Sequence, residues 1–286
     1  LRAAKTAAIQ RTGIDPHLAV ATPGQRLENG ISSSNENNRN IRIMNQETAV
    51  ELNAEQQLTD IKNNLATVKQ RIIDACKKAG RDPASVRLLP VTKTVSAERL
   101  RIAYAAGVHE MGENKIQEAR EKSEVLADLG IKWSIIGHLQ TNKAKYLARF
   151  ANEFQALDSL KVAEELDKRL QNEGRAIDVY VQVNSSGEES KFGLPPEAVR
   201  DFVQHLPQFS SLRIKGLMTL AIFSSDHDRV RECFVKMRNI QAMLRQEAPA
   251  GLSFDELSMG MSGDFRLAIA EGATHVRIGS AIFGHR

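Results

Sequence analysis

Cysteine is scarce in this chain: two in 286 residues, Cys76 and Cys233. Two thiols so far apart make no disulfide framework and have no metal-ligand spacing, so they read as the reduced thiols of a cytoplasmic protein. Long apolar runs are missing as well. None approaches the roughly 18 residues needed to span a bilayer, so no membrane segment is expected. Aromatic residues make up only 5%, with one Trp and three Tyr, so any tyrosine chemistry must come from Tyr104, Tyr146 or Tyr180. A dominant charge sign is lacking too. Of 39 Lys and Arg and 35 Asp and Glu, six basic and three acidic residues fall in positions 1–44, which leaves 33 against 32 in the rest. A near-neutral body offers no basic face for nucleic acid.

What is present divides at about residue 44. Residues 1–44 hold no Phe, Trp or Tyr and include the polar stretch ISSSNENNRN. Such a composition buries too little apolar area to offset the entropy of ordering, so a disordered leader is expected. It reads as an upstream extension with Met44 as the natural start, in preference to an Arg- and Ser-bearing transit peptide, because no clean amphipathic helix is evident. Residues 45–286 then form the folded domain. Leu58, Ile61, Leu65, Val68, Ile72 and Cys76 recur every three or four residues, one face of a helix that Gly80 terminates.

Beyond Gly80 the chain alternates. Short β-like runs near 86–93, 109–113, 132–138, 153–158, 178–184, 213–220, 254–260 and 275–279 are separated by helical stretches such as 97–106, 114–128, 160–173, 196–206 and 227–246. Strands alternating with helices imply parallel βαβ units. Eight of them predict an α/β fold, a single (β/α)₈ TIM-type barrel with an extra N-terminal helix; a doubly wound open sheet is the alternative.

In such a barrel the active site lies at the C-terminal ends of the strands. The first run, LLPVTKT, ends in Lys93. Desolvation disfavours an ammonium, and a neutral amine can form a Schiff base with a carbonyl, although a lone lysine could equally be structural. The seventh run leads into MGMSGD and the eighth into RIGS. The loops after strands 7 and 8 commonly hold a phosphate, with glycines that admit the backbone, amides at a helix start, and hydroxyls from Ser258, Ser262 and Ser280. A lysine amine facing two such loops suggests a ligand with both an aldehyde and a phosphate, as in pyridoxal 5′-phosphate (PLP).

The segments LLPVTKT, HEMGENKIQEA, WSIIGHLQTNK, VQVNSSGEESKFG, IKGLMTL and LSMGMSGDFRLAIAEGATHVRIGSAIFG together resemble the PLP homeostasis (PLP-binding) protein family, which is related to the N-terminal barrel of alanine racemase. The resemblance covers the chain from about residue 53 onward. It implies a PLP carrier or regulator of intracellular vitamin B6 chemistry, monomeric, that serves PLP-dependent apo-enzymes. It implies a Schiff base on Lys93, with Asn114 beside the cofactor and Met218 near its ring. A phosphate cup would comprise Ser258, Gly260, Ser262, Gly279 and Ser280, and Arg277 would face the pyridine nitrogen. Lys191 matches a second family lysine. There is one departure: where relatives often read Lys-Thr-Lys-Pro, this chain has Lys93-Thr94-Val95-Ser96 and lacks the nearby second lysine.

The same arginine bears on catalysis. A guanidinium stays protonated, so a ring nitrogen that accepts from Arg277 stays unprotonated and the ring is a weaker electron sink. The related racemases add a tyrosine as second acid/base, with help from a second domain. Here the sequence stops just after the eighth strand, Tyr104 and Tyr146 fall in helices, Tyr180 falls early in a strand, and both cysteines fall in helices. His138 is the remaining stand-in, and a lone histidine reads first as a structural residue. Binding without turnover is therefore expected; a single-domain racemase and a cofactor-free aldolase acting through Lys93 are the alternatives.

Overall fold

The computed structural model describes residues 30–284, with side chains from residue 51 onward. The expectation of disorder over 1–44 falls outside the described residues up to position 29, and from Gly30 the backbone is helical. A helix closes its hydrogen bonds within its own segment, so helical backbone does not by itself require an apolar face. Helix α1 spans Gly30–Lys78. From Leu52 the chain forms one compact unit. Within it, Ile61, Leu65, Val68, Ile72 and Cys76 on α1 are buried, as the period predicts, and Asn64 Nδ2 donates to the Ile282 carbonyl at 3.0 Å. Gly80 adopts φ +65° while the Arg81 amide reaches back to the Cys76 carbonyl at 2.9 Å, a left-handed C-terminal cap.

Eight strand–helix pairs follow. They are β1 (Arg87–Pro90) with α2 (Ala97–Ala105), β2 (Glu110–Glu113) with α3 (Ile116–Val125), β3 (Lys132–Ile135) with α4 (Ala144–Phe150), and β4 (Glu153–Leu157) with α5 (Leu160–Asn172). The second half comprises β5 (Ile177–Gln182) with α6 (Val199–Gln204), β6 (Leu212–Met218) with α7 (His227–Glu247), β7 (Glu256–Ser258) with α8 (Phe265–Ala270), and β8 (His275–Ile278) with α9 (Ser280–Phe283). All ladders are parallel, in the order β1-β8-β7-β6-β5-β4-β3-β2. The ring closes where Val91 bridges Gly112 and the Thr92 amide donates to the Gly112 carbonyl at 2.9 Å. A closed barrel replaces the open-sheet alternative.

The strands are shorter than the apolar runs. The expected 86–93 pairs only over Arg87–Pro90, 132–138 over Lys132–Ile135, and 254–260 over Glu256–Ser258. Burial continues past the last ladder pair, as at Val91 and Thr92, so hydrophobicity overstates strand length. The consequence for the site is direct: Lys93, His138 and Gly260 lie in the loops above the barrel instead of on its strands.

The lower barrel interior is polar and tied together. Arg87 donates to Glu110 and Glu153 at 2.9 Å each, and to His275 Nε2 at 3.0 Å. That leaves Nδ1 of His275 as the protonated nitrogen, facing Thr274 Oγ1 at 2.9 Å. The Tyr180 hydroxyl donates to Glu256. Burial and the two arginines push the His275 pKa down to about 3, so its contact with Glu256 joins a neutral ring to a carboxylate. Among the described residues, no helix is long and apolar enough to cross a membrane.

Candidate functional site

A cavity of about 580 Å³ opens at the C-terminal mouth of the barrel, and Lys93 projects into its lining. Lys93 is half-buried, in the turn that follows β1. Its neighbour Thr94 takes φ +64°, the one positive φ outside glycine among the described residues. A threonine held there costs about 1–3 kcal/mol, so the turn is strained. The two residues after it answer the departure from the family pattern: Val95 is buried in the core, and Ser96 caps α2 by accepting the Arg99 amide at 3.3 Å.

The loops after β7 and β8 meet across the mouth. Ser262, Gly263, Gly279 and Ser280 all line the cavity, and Ser280 Oγ lies 3.4 Å from Ser262 Oγ. Helix α9 begins at Ser280, so its first amides have no acceptor within the helix. Gly260 does not line the cavity. It takes φ +98°, and a Cβ there would sit 2.6 Å from the Ala268 Cβ, so only glycine lets this loop pack onto α8. Asp264 accepts the Met261 amide at 2.5 Å; burial raises its pKa, with Arg277 and Lys191 pulling the other way.

Arg277 is almost fully buried at the base of the cavity. It donates to Ser258 Oγ and to the Thr219 carbonyl, each at 2.7 Å. Ser258 Oγ in turn donates to Gln155 Oε1 at 2.6 Å, and Gln155 Nε2 donates to Glu153 at 2.6 Å. A chain of hydrogen bonds therefore runs from the cavity to the charged lower interior. Burial pushes the Arg277 pKa down to about 10, against the pull of Asp264, and it remains a cation at neutral pH. Ser258, expected in the phosphate cup, is placed behind the arginine; Met218 is fully buried and also outside the lining.

The cavity is also lined by Asn114, Gln182, Lys191 and Phe192. Gly137 brings two loops together: a Cβ there would fall 2.0 Å from the Asn114 carbonyl oxygen. Lys191 Nζ donates to the Ala221 carbonyl at 2.8 Å and pairs with Glu188 at 2.5 Å, linking the loops after β5 and β6. His138 is not in the lining. It stacks on Phe192 with ring centroids 3.9 Å apart and lies 3.8 Å from Asp158. Tyr104 and Tyr146 lie on α2 and α4, and Tyr180 lies in the lower interior.

Sequence reasoning passed over Gln182. Its Nε2 donates to the Phe192 carbonyl at 3.2 Å, while Oε1 is buried without a partner in the cavity wall. A buried orphan acceptor is costly unless a ligand donor meets it. The available signal was an amide inside an otherwise apolar strand, VYVQVN. As a whole the site offers an amine, a buried cation, an unpartnered acceptor and two glycine–serine loops. That set can hold a small anion and present a carbonyl to the amine.

Over residues 57–286 the chain matches the family described as alanine racemase, N-terminal domain. The pyridoxal phosphate homeostasis protein of Aquifex aeolicus is 40% identical over 222 residues, covering 78% of this chain and 96% of that protein. The protein of that name from Pseudomonas aeruginosa is 40% identical over 229 residues, covering 80% and 97%. Among solved structures, PipY of Synechococcus elongatus with PLP bound is 36% identical with a TM-score of 0.69, covering 78% of this chain and all of PipY. Alanine racemase of Streptomyces lavendulae, 14% identical with a TM-score of 0.62, shares the fold over 80% of this chain and 58% of its own length.

Proposed function

The chain belongs to the pyridoxal phosphate homeostasis proteins, within the family built on the alanine racemase N-terminal domain, and on that premise we propose that it binds PLP covalently on Lys93 and acts as an intracellular PLP carrier or regulator. It works in the cytoplasm as a monomer, and its recipients are PLP-dependent apo-enzymes. The observation that carries this reading is the amine of Lys93 in one cavity with the paired Ser262–Gly263 and Gly279–Ser280 loops.

When bound, PLP supplies an aldehyde that condenses with a primary amine, a C=N bond forming as the carbonyl oxygen leaves as water. The chain's own residues do the rest. Lys93 Nζ is the nucleophile. Ser262, Gly263, Gly279 and Ser280 take the phosphate with amides and hydroxyls. Arg277 donates toward the ring nitrogen and, being a cation, keeps a proton off it. Asn114 flanks the ring. Gln182 Oε1 is an acceptor for a ligand hydroxyl, a fit that supports this ligand class. Ser258 acts through Arg277, while Gly260 and Met218 shape the wall from behind. Lys191 closes the mouth by joining two loops.

Titration of the purified protein with PLP tests the reading. A new visible absorbance band that saturates at one equivalent, and that inorganic phosphate competes away, is the expected result. A spectrum equal to the sum of free protein and free PLP would refute it.

A further inference from the structure

The turn that carries Lys93 is held from both sides by one group of three charges, of which Lys122 and Glu113 are buried and Glu118 is half-buried. Lys122, on α3, is 7% exposed. Its ammonium donates to the Thr92 carbonyl at 2.8 Å, to Glu113 Oε1 at 2.7 Å and to Glu118 Oε1 at 2.7 Å. Three N–H donors meet three acceptors, so the ammonium is fully used. The carboxylates complete the hold. Glu113 Oε1 accepts the Thr92 hydroxyl at 2.6 Å, and Glu118 Oε1 accepts the Thr94 amide at 2.5 Å. The residue before Lys93 and the residue after it are therefore both fastened to the same ammonium, directly or through one carboxylate. Neither Glu118 nor Lys122 lines the cavity.

Thr94 is where this matters. Its φ of +64° is a conformation that L side chains with a branched Cβ avoid, and it persists only where surrounding contacts impose it. The Val95 amide closes the turn by donating to the Thr92 carbonyl at 3.0 Å, and Thr94 itself is exposed. The restraint visible on its amide is Glu118.

We propose that Glu118 and Lys122 are positioning residues for Lys93, holding the strained turn 92–94 so that the lysine amine faces the phosphate loops. The proposal rests on the reading of Lys93 as the covalent anchor. It separates two properties of the site. Phosphate recognition belongs to the loops after β7 and β8, which the triad does not touch. Covalent capture belongs to the turn after β1, which the triad holds. Loosening the triad should impair the second and spare the first.

The test compares wild type with Glu118→Ala, Glu118→Gln and the double variant Thr94→Gly, Glu118→Ala. Two readouts are taken on each full-length protein: the equilibrium constant for adduct formation with PLP, from absorbance, and the Kd for pyridoxine 5′-phosphate, which has the phosphate but no aldehyde. Glu118→Ala should weaken adduct formation about tenfold, the scale of a released left-handed threonine, with pyridoxine 5′-phosphate affinity within about twofold of wild type. Glu118→Gln keeps an acceptor for the Thr94 amide and should stay within about threefold. Glycine is unstrained at φ +64°, so Thr94→Gly should restore most of what Glu118→Ala loses. An unchanged adduct in Glu118→Ala, an equal loss of both ligands, or no recovery with glycine overturns the proposal. Failure of the underlying site reading shows separately: wild type would then bind pyridoxine 5′-phosphate yet yield no borohydride-reduced adduct on Lys93.

Discussion

Ser258 sits between an arginine and an amide, and its hydroxyl serves both. It accepts from Arg277 and donates to Gln155. Ser258→Ala would leave a buried guanidinium N–H and a buried amide oxygen without partners, each worth about 1–3 kcal/mol. Urea unfolding of Ser258→Ala should show a loss of roughly 2–6 kcal/mol, and Ser258→Thr, which keeps the hydroxyl, a smaller one. A loss under about 0.5 kcal/mol would mean the bridge contributes nothing. Lys93 was legible in the sequence because an apolar run stops at a charge. Ser258 was legible as a functional hydroxyl but not in its orientation, because a serine closing β7 can face a phosphate or a guanidinium. Gln155 and Asp264 carried no such signal, because Gln155 Oε1 meets Ser258 103 residues further on and the Asp264 carboxyl is raised by burial that only the fold creates. Gln182 stood out as an amide in an apolar strand, but its unpartnered Oε1 did not.

At the scale of elements, alternation revealed the barrel and its strand order, because each parallel strand needs a crossover helix before the next. It did not reveal where the ladders end. Val91 and Thr92 are as buried as the paired residues below them, so the apolar signal runs on into the loop. Two loop contacts hold the mouth in shape, and one is sharply testable. Gly137 lies so near the Asn114 carbonyl that any Cβ forces the backbone to move. Gly137→Ala should cost about 1–3 kcal/mol of stability by overpacking. It should also weaken PLP binding, because Asn114 lines the cavity. Calorimetry alongside a PLP titration checks both, and a variant with wild-type Tm and affinity would contradict the close approach.

For the molecule as a whole, the charged lower interior ties stability to pH. His275 is neutral in the fold, with a pKa of about 3 against an ordinary 6.5. Between those values the unfolded chain binds a proton that the native state does not, so stability rises with pH across the window and is lost as pH falls through it. The slope from this one group approaches 1.4 kcal/mol per pH unit, about the value of one proton. Glu113 and Asp264, raised by burial, act in the opposite sense above the ordinary carboxylate range. The difference between wild type and His275→Gln therefore isolates the histidine. That variant should show a flatter dependence of unfolding free energy between pH 3 and 6.5, and parallel curves would show that His275 is protonated in the native state. This interior reaches the site through Glu153, Gln155, Ser258 and Arg277, so one polar chain serves both the stability of the barrel and the buried cation in the cavity wall.

The central claim is that Lys93 holds PLP covalently. The most direct measurement is borohydride reduction of the PLP-loaded protein, followed by proteolysis and peptide mass mapping. The account predicts one reduced pyridoxyl phosphate group, on the peptide containing Lys93, and none in Lys93→Ala, which should still bind pyridoxine 5′-phosphate. A reduced adduct that maps to Lys191 or another lysine, or one that survives in Lys93→Ala, would contradict it.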